Sequence, residues 1–242
     1  NNLINLKAKI YVLACGGIEN SRLMLWSRER NKSLFNPKLP IGKYWMDHPY
    51  HNIGTGIVSK KKFYDYLKTV NLDKIINLNC NNTFKISPNN KLIVKNQLLN
   101  THLSIGYSEI KKNSEEKKFV DEIKCVAPKF LNQLFSEVKD KNLLKISLEI
   151  HSEQLPGNNR IELDLLKDKL GIPKAKLFWK REENIRINSR KNLENLANFF
   201  ITKNIGRIAG LDFLFNDNKF SHGGGYHHMG GTRAGKNYSS SA

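Results

Sequence analysis

Apolar and polar residues alternate with different periods along the chain, and the periods predict a mixed α/β protein. Residues 9–14 are apolar and partly β-branched, which predicts a short strand. Cys15-Gly16-Gly17 predicts a tight turn, and residues 18–26 have the apolar spacing of a helix. A strand, a glycine turn and a helix form the corner at which α/β folds present backbone N–H groups to a ligand, although two glycines alone are weak evidence for such a site.

The middle of the chain has the period-two pattern of half-buried strands. A loop with several prolines, at residues 37–49, separates it from the opening corner. Five segments predict strands: residues 52–59, 91–107 (one or two strands), 144–151, 160–163 and 175–179. The turn residues between the last three favour an antiparallel arrangement.

Two longer segments have the spacing of amphipathic helices. Residues 114–139 predict a helix that is broken or kinked at Pro128, and residues 182–203 predict a second helix. An antiparallel block with helices, following an α/β corner, predicts a substrate-binding domain inserted into a nucleotide-binding domain.

Composition limits the possible partners without identifying one. The net charge is +18, from 40 basic and 22 acidic residues. Nucleic acid or an anionic membrane surface is one interpretation. A generally basic surface is favoured, because the lysines are spread out and the tightest basic run, residues 59–64, is short. No apolar run approaches the ~20 residues of a membrane helix. We therefore expect no nucleic acid partner and no transmembrane segment.

Three cysteines lie far apart, at positions 15, 80 and 125, without the spacing of a zinc site. This usage favours buried thiols in a reducing compartment, with the cytoplasm as the favoured location.

The strongest chemical signal is the segment 223–235, which contains six glycines in thirteen residues together with His227 and His228. Glycines let a backbone approach a large planar or anionic ligand closely. Imidazoles can transfer a proton near neutral pH.

Three chemistries use histidines in a glycine-rich segment of this kind. His222-Gly223-Gly224-Gly225 is similar to the oxyanion loop of some esterases, but the G-x-S-x-G nucleophile turn of those enzymes is missing. His222, His227 and His228 lack the spacing of known zinc sites, so acid–base use is favoured over metal binding. Oxidation of an alcohol by a flavin needs a base, small residues beside the flavin ring and a glycine-rich corner, and the sequence offers all three in part.

Four segments resemble the glucose-methanol-choline (GMC) family of flavoprotein oxidoreductases. Residues 8–25 resemble a strand and helix of its FAD domain, and residues 227–235 resemble its "HHMGTTRMG" motif, with Gly231 and Ala234 as departures. Both matches are specific. Residues 42–49, ending in Asp47-His48-Pro49, and residues 153–179, similar to its substrate-domain strands, are moderate matches.

The resemblance implies FAD as cofactor and oxidation of an alcohol or sugar hydroxyl, with hydride passing to flavin N5. It implies His227 as the base, with His228 as the second candidate. The implied cofactor-binding residues are Ala14, Cys15, Gly16, Gly17, Asp47, His48, Gly230 and Gly231. For His48 and its turn, bracing of the loop is an open alternative to cofactor contact.

The implied fold is part of a Rossmann-like FAD domain with an inserted, largely antiparallel substrate domain flanked by helices. Its expected parts are residues 1–52 and 211–242 in the FAD domain, and residues 53–210 in the substrate domain.

Two family features are missing from the sequence: the upstream G-x-G-x-x-G motif and a second catalytic His or Asn after the histidine motif. We therefore expect an internal fragment that does not hold FAD by itself, and the electron acceptor is not predicted. The alternative is a basic, non-enzymatic protein that binds nucleic acid or another polyanion and uses the glycine segment only to turn the chain.

Overall fold

The strands form two separate sheets, one of five strands and one of two. The structure, a computed structural model, describes residues 5–71, 82–111, 114–129, 142–180, 183–216 and 224–237. Contacts divide the chain into two units. The first unit comprises residues 1–47, 155–181 and 226–242, and the second comprises residues 48–154 and 182–225.

The elements of the described residues follow one another in the order α1 (Gly17–Arg30), β1 (Tyr50–Ser59), α2 (Lys60–Thr69), β2 (Thr83–Ile86), α3 (Asn90–Asn96), β3 (Thr101–Glu109), α4 (Glu115–Val126), β4 (Leu143–Ser152), β5 (Arg160–Lys167), β6 (Pro173–Phe178), α5 (Glu183–Thr202), β7 (Gly206–Gly210) and a short 3₁₀ helix (Asp212–Leu214).

The second unit is built on the five-stranded sheet, whose order is β2-β3-β4-β1-β7 with every neighbouring pair antiparallel. Alternation along β4 buries Ile146, Leu148 and Ile150 on one face. Leu196 and Phe200 of α5 join the same core cluster. Burial of each such side chain contributes about 1.5–3 kcal/mol, which fixes the register of the sheet.

Helix α2 explains the tightest basic run of the sequence. Ser59 caps this helix by accepting a hydrogen bond from the Lys62 N–H, and Phe63 and Leu67 are buried in the core cluster. The run at residues 59–64 is thus the start of a core-packed helix that the sequence did not predict.

The first unit consists of α1, the β5–β6 hairpin and the segments around them. Arg22 of α1 forms an ion pair with Asp168 of the hairpin and donates a hydrogen bond of 2.6 Å to the carbonyl of Pro173. The Ile172 N–H and Arg22 hold the pKa of Asp168 below its usual value. The carboxylate therefore stays charged and keeps α1 on the hairpin.

The predicted fold class is confirmed at the coarse level: the protein is mixed α/β, with a mostly antiparallel sheet and five helices in the described residues. The predicted strands at residues 52–59, 144–151, 160–163 and 175–179 are present, as are the helices at 18–26 and 182–203. The helix predicted from residue 114 ends at Val126, because Ala127 precedes Pro128 and a residue before a proline disfavours helical backbone. Its predicted continuation beyond residue 129 lies outside the described residues until residue 142.

Other local predictions are wrong. Residues 9–14 do not form a strand; Ile10, Tyr11 and Val12 are 70–80% exposed, and no described strand pairs with them. Within residues 91–107, the first part is helix α3, which Asn89 caps by accepting a hydrogen bond of 2.9 Å from the Leu92 N–H.

The two cysteines that the structure describes differ from expectation. Cys15 and Cys125 are exposed rather than buried, and Cys80 lies outside the described residues. The substrate domain is expected at residues 53–210, and this division by function stays a prediction. By contacts, residues 155–181 lie in the first unit, where the β5–β6 hairpin forms its own sheet and packs on α1. Among the described helices, none has the length and hydropathy needed to cross a bilayer.

Candidate functional site

Backbone hydrogen bonds join the segment 42–47 to the histidine loop, defined here as residues 226–235. Met46 and Met229 exchange two hydrogen bonds, with N···O distances of 2.8 and 2.9 Å. The Gly231 N–H donates to the carbonyl of Lys43 over 3.0 Å, and the Gly42 N–H donates to the carbonyl of Gly231 over 2.6 Å. Two segments that resemble separate family motifs therefore lie side by side in the first unit.

Asp47 sets the path of the histidine loop. Its side chain is only 2% exposed, and its two oxygens accept hydrogen bonds of 3.2 Å from the N–H groups of Tyr226 and His227. Nε2 of His228 lies 3.9 Å from the Oδ2 of the same carboxylate. Hydrogen bonds to a buried charge are stronger than neutral ones, so Asp47 fixes the backbone on which both histidines stand.

Gly230 and Gly231 serve the packing of this loop. Both have a φ of 76°, in the left-handed region. A Cβ at Gly230 would overlap the carbonyl oxygen of Tyr44, and one at Gly231 would overlap Oγ of Ser21 in α1. These two predicted cofactor-binding residues are thus placed against the protein's own backbone and helix.

The glycine corner, residues 14–17, meets the histidine loop. A Cβ at Gly17 would lie 3.1 Å from Cβ of His228 and 3.3 Å from its carbonyl oxygen. Ala14, Cys15 and Gly16 are exposed, and Asn20 holds the turn by accepting a 2.9 Å hydrogen bond from the Cys15 N–H. No side chain caps the start of α1 in the described structure, so its first N–H groups are left for solvent or a ligand.

The two histidines have different surroundings. His228 is 27% exposed, and its ring centroid lies 5.2 Å from that of Trp45. Trp45 is 1% exposed and makes an edge contact with Trp179. The His227 residue is exposed. His228 is therefore partly covered by the protein, and His227 is the more exposed of the two.

Trp45 and Ser21 were not predicted as site residues. Their only signals in the sequence are their positions inside the segments 42–49 and 8–25, because burial against the histidine loop depends on long-range contacts. Asp47 was predicted to bind the cofactor, and its observed contacts are with the loop.

His48 belongs to the second unit, where it faces Gly225. The Gly225 N–H donates a 3.0 Å hydrogen bond to the carbonyl of His48, and a Cβ at Gly225 would run into the His48 ring. This is the geometry of a residue that braces the chain just before the histidine loop.

A second group of histidines lies on the sheet of the second unit. The register of β1, β4 and β3 places Tyr50, His151 and His102 side by side. The rings of His102 and His151 stack at 4.4 Å, and those of His151 and Tyr50 at 5.2 Å. We call these three residues the histidine ladder.

The two histidines of the ladder have lowered pKa values. Burial, and secondly the neighbouring His102, lower the pKa of His151 to about 4; burial and Lys85 lower the pKa of His102. Both imidazoles are neutral at pH 7.

Comparison with known proteins adds no assignment. No family model matches the sequence, and no curated protein matches it. Within the described residues, no three His, Cys, Asp or Glu side chains come together as a metal ion would require; His222 is outside them. The resemblance to the GMC family therefore rests on the four sequence segments alone.

Gly230→Ala tests the close approach of the histidine loop to residue 44. The free energy of unfolding should fall by more than about 3 kcal/mol, because backbone strain is joined by overlap with the Tyr44 carbonyl. Gly171→Ala is the matched control: its φ is 78°, but nothing lies within 4 Å of the added Cβ, so only about 1–2 kcal/mol of strain is expected. Equal losses in urea unfolding would contradict the packing described.

Asp47→Asn tests the carboxylate that holds the loop. An amide can accept with one end only, so one of the two backbone N–H groups loses its partner and the charge is gone. We expect the free energy of unfolding to fall by about 1.5–3 kcal/mol, against less than about 0.5 kcal/mol for Asp121→Asn, whose half-exposed carboxylate pairs with Lys117. Faster amide exchange at Tyr226 and His227 should accompany the loss, and unchanged exchange there would argue against it.

The histidine ladder predicts a pH dependence of stability. Below pH 6.5 the unfolded chain takes up a proton at His151, while the folded protein resists it down to about pH 4. The free energy of unfolding should therefore fall as the pH drops through this window. His151→Phe should make that fall shallower, whereas Tyr50→Phe, in the same stack, should follow the wild type. Parallel curves for wild type and His151→Phe in urea titrations would refute the assignment.

Proposed function

We propose that this chain supplies the catalytic loop of an FAD-dependent oxidoreductase that oxidises a CH–OH group of an alcohol or sugar. The observation that carries the proposal is the contact between the glycine corner and the histidine loop, at Gly17 and His228. Two segments separated by about two hundred residues, each resembling a motif of the same flavoprotein family, meet in one unit.

The residues at this contact fit the redox end of a flavin. Gly16 has open space where a side chain would be, and α1 begins beside it without a side-chain cap. N–H groups at a helix start favour an electron-rich group.

When bound, FAD would supply the acceptor for the hydride that leaves the alcohol carbon. His227 is proposed to take the hydroxyl proton, because it is exposed and its backbone is held by Asp47. His228, which packs against Trp45 and lies near Asp47, is proposed as a positioning residue. An imidazole suits this proton transfer because its ordinary pKa lies close to neutral pH.

The polyanion-binding alternative has weaker support. The tightest basic run of the chain, residues 59–64, begins helix α2, and Phe63 and Leu67 of this helix are buried in the core. Within the described residues, this run is therefore the start of a core-packed helix rather than a separate basic segment.

The test uses the complete protein in which this chain occurs. A yellow flavin spectrum, bleached anaerobically by an alcohol or aldose, is expected. His227→Ala should retain the flavin but slow its reduction about 10²–10⁴-fold, the usual contribution of a general base. His228→Gln should slow it less and should lower stability as well.

Three outcomes would count against the proposal. A protein without flavin would reject the function. Undiminished reduction by His227→Ala would reject the base. A larger loss in His228→Gln than in His227→Ala would exchange the two roles.

A further inference from the structure

The β5–β6 hairpin of the first unit carries apolar side chains into solvent at its turn. Leu165 and Leu170 are 97% and 83% exposed, and Leu166 is 64% exposed. Successive strand residues point to opposite faces, so the exposure of both Leu165 and Leu166 means that neither face of β5 is covered at this end. Single exposed leucines are ordinary, but several together at one hairpin end form a patch of the kind that marks an interaction site. We call residues 165–174 the hairpin tip.

The backbone of the hairpin tip is held in place by Asp168. Its Oδ1 accepts hydrogen bonds of 2.8 Å from the Leu170 N–H and 3.0 Å from the Ile172 N–H, and its carbonyl accepts one of 3.0 Å from the Gly171 N–H. The same carboxylate pairs with Arg22 of α1, which braces the turn on the rest of the first unit. The leucines therefore stand on a fixed scaffold, and a partner that covers them has little backbone to order.

Lysines surround the leucines and select the kind of partner. Three exposed lysines lie in the hairpin tip: Lys167, Lys169 and Lys174. The single acidic residue among them, Asp168, is paired with Arg22, so the tip has an excess of positive charge even when the preceding Asp164 is counted. A second copy of the tip would bring like charges together, which disfavours self-association. A layer that is anionic at its surface and apolar beneath suits both residue types.

We propose that the hairpin tip binds the surface of a bilayer that contains anionic phospholipid. Its leucines enter the boundary of the acyl chains, and its lysines contact the headgroups. The inference goes beyond the proposed redox function and does not require it, since binding to lipid needs no flavin. If both hold, the first unit carries the lipid contact together with the histidine loop, and the oxidation takes place at a membrane surface.

The experiment is co-sedimentation of the present chain with unilamellar vesicles. Vesicles of equal parts phosphatidylcholine and phosphatidylserine should bind it at least about tenfold more tightly than phosphatidylcholine vesicles, since each lysine near an anionic surface contributes about fivefold. Leu165→Gln combined with Leu170→Gln should weaken binding to the anionic vesicles at least about tenfold, because apolar area is no longer buried. Both side chains are exposed, so the urea midpoint of this leucine variant should equal that of the wild type.

Helix α3 of the second unit supplies matched controls, because it also combines an exposed apolar residue with lysines. Val94 is 78% exposed, and Lys91 and Lys95 are exposed. Val94→Gln, and Lys91→Gln combined with Lys95→Gln, should leave vesicle binding unchanged. Lys167→Gln combined with Lys169→Gln removes the same charge from the hairpin tip and should weaken binding more than about tenfold.

Heparin separates a membrane from a soluble polyanion, because it has negative charge but no apolar interior. The leucine variant should bind heparin as the wild type does. Three results would overturn the proposal: no binding to the anionic vesicles, equal losses in the two lysine pairs, or vesicle binding that survives the leucine substitutions. A leucine variant that keeps vesicle binding but changes the sedimentation coefficient of the chain would overturn it in favour of a contact between copies.

Discussion

A buried carboxylate accepting backbone N–H groups is the constraint on which the candidate site depends. Asp47 lies at the end of the segment that pairs with the histidine loop, and its oxygens accept from the two residues that begin this loop. Such a charge is tolerated in the interior only when its hydrogen bonds are made. The loop must therefore keep its path for Asp47 to remain buried, and that path sets His228 beside Trp45 and against Gly17.

The second unit follows a different rule, because its sheet has two chemically distinct faces. Strand alternation places Ile146, Leu148 and Ile150 in a core with α2 and α5, and leaves the histidine ladder on the other face. Burial, together with the nearby Lys85, lowers the pKa of both imidazoles and so favours their neutral form. The chain thus presents histidines in two settings: proton transfer is proposed for the histidine loop, whereas the histidines of the sheet stack on one another in the histidine ladder.

Local periodicity predicted those elements that bury one face, such as β4, β5 and α5. It failed where tertiary context decides. Residues 9–14 are apolar enough for a strand, but a strand exists only when another pairs with it. Helix α2 was not predicted, because it starts with three successive lysines. Helix α3 was not predicted, because its apolar stretch is too short to distinguish a helix from a strand. Motif resemblance located the glycine corner and the histidine loop, whereas the contributions of Trp45 and Ser21 arise from long-range packing that no local pattern records.

The central claim is that the histidine loop and the glycine corner touch, and a nuclear Overhauser measurement tests it most directly. A cross-peak between the α protons of Gly17 and the β protons of His228 is predicted, because a Cβ added at Gly17, in the direction of one of its α protons, would lie 3.1 Å from Cβ of His228. The amide protons of Met46 and Met229 should show their own cross-strand peak and report that the loop is folded. If the second peak is present and the first is absent, the loop does not meet the corner, and the proposed active site is contradicted.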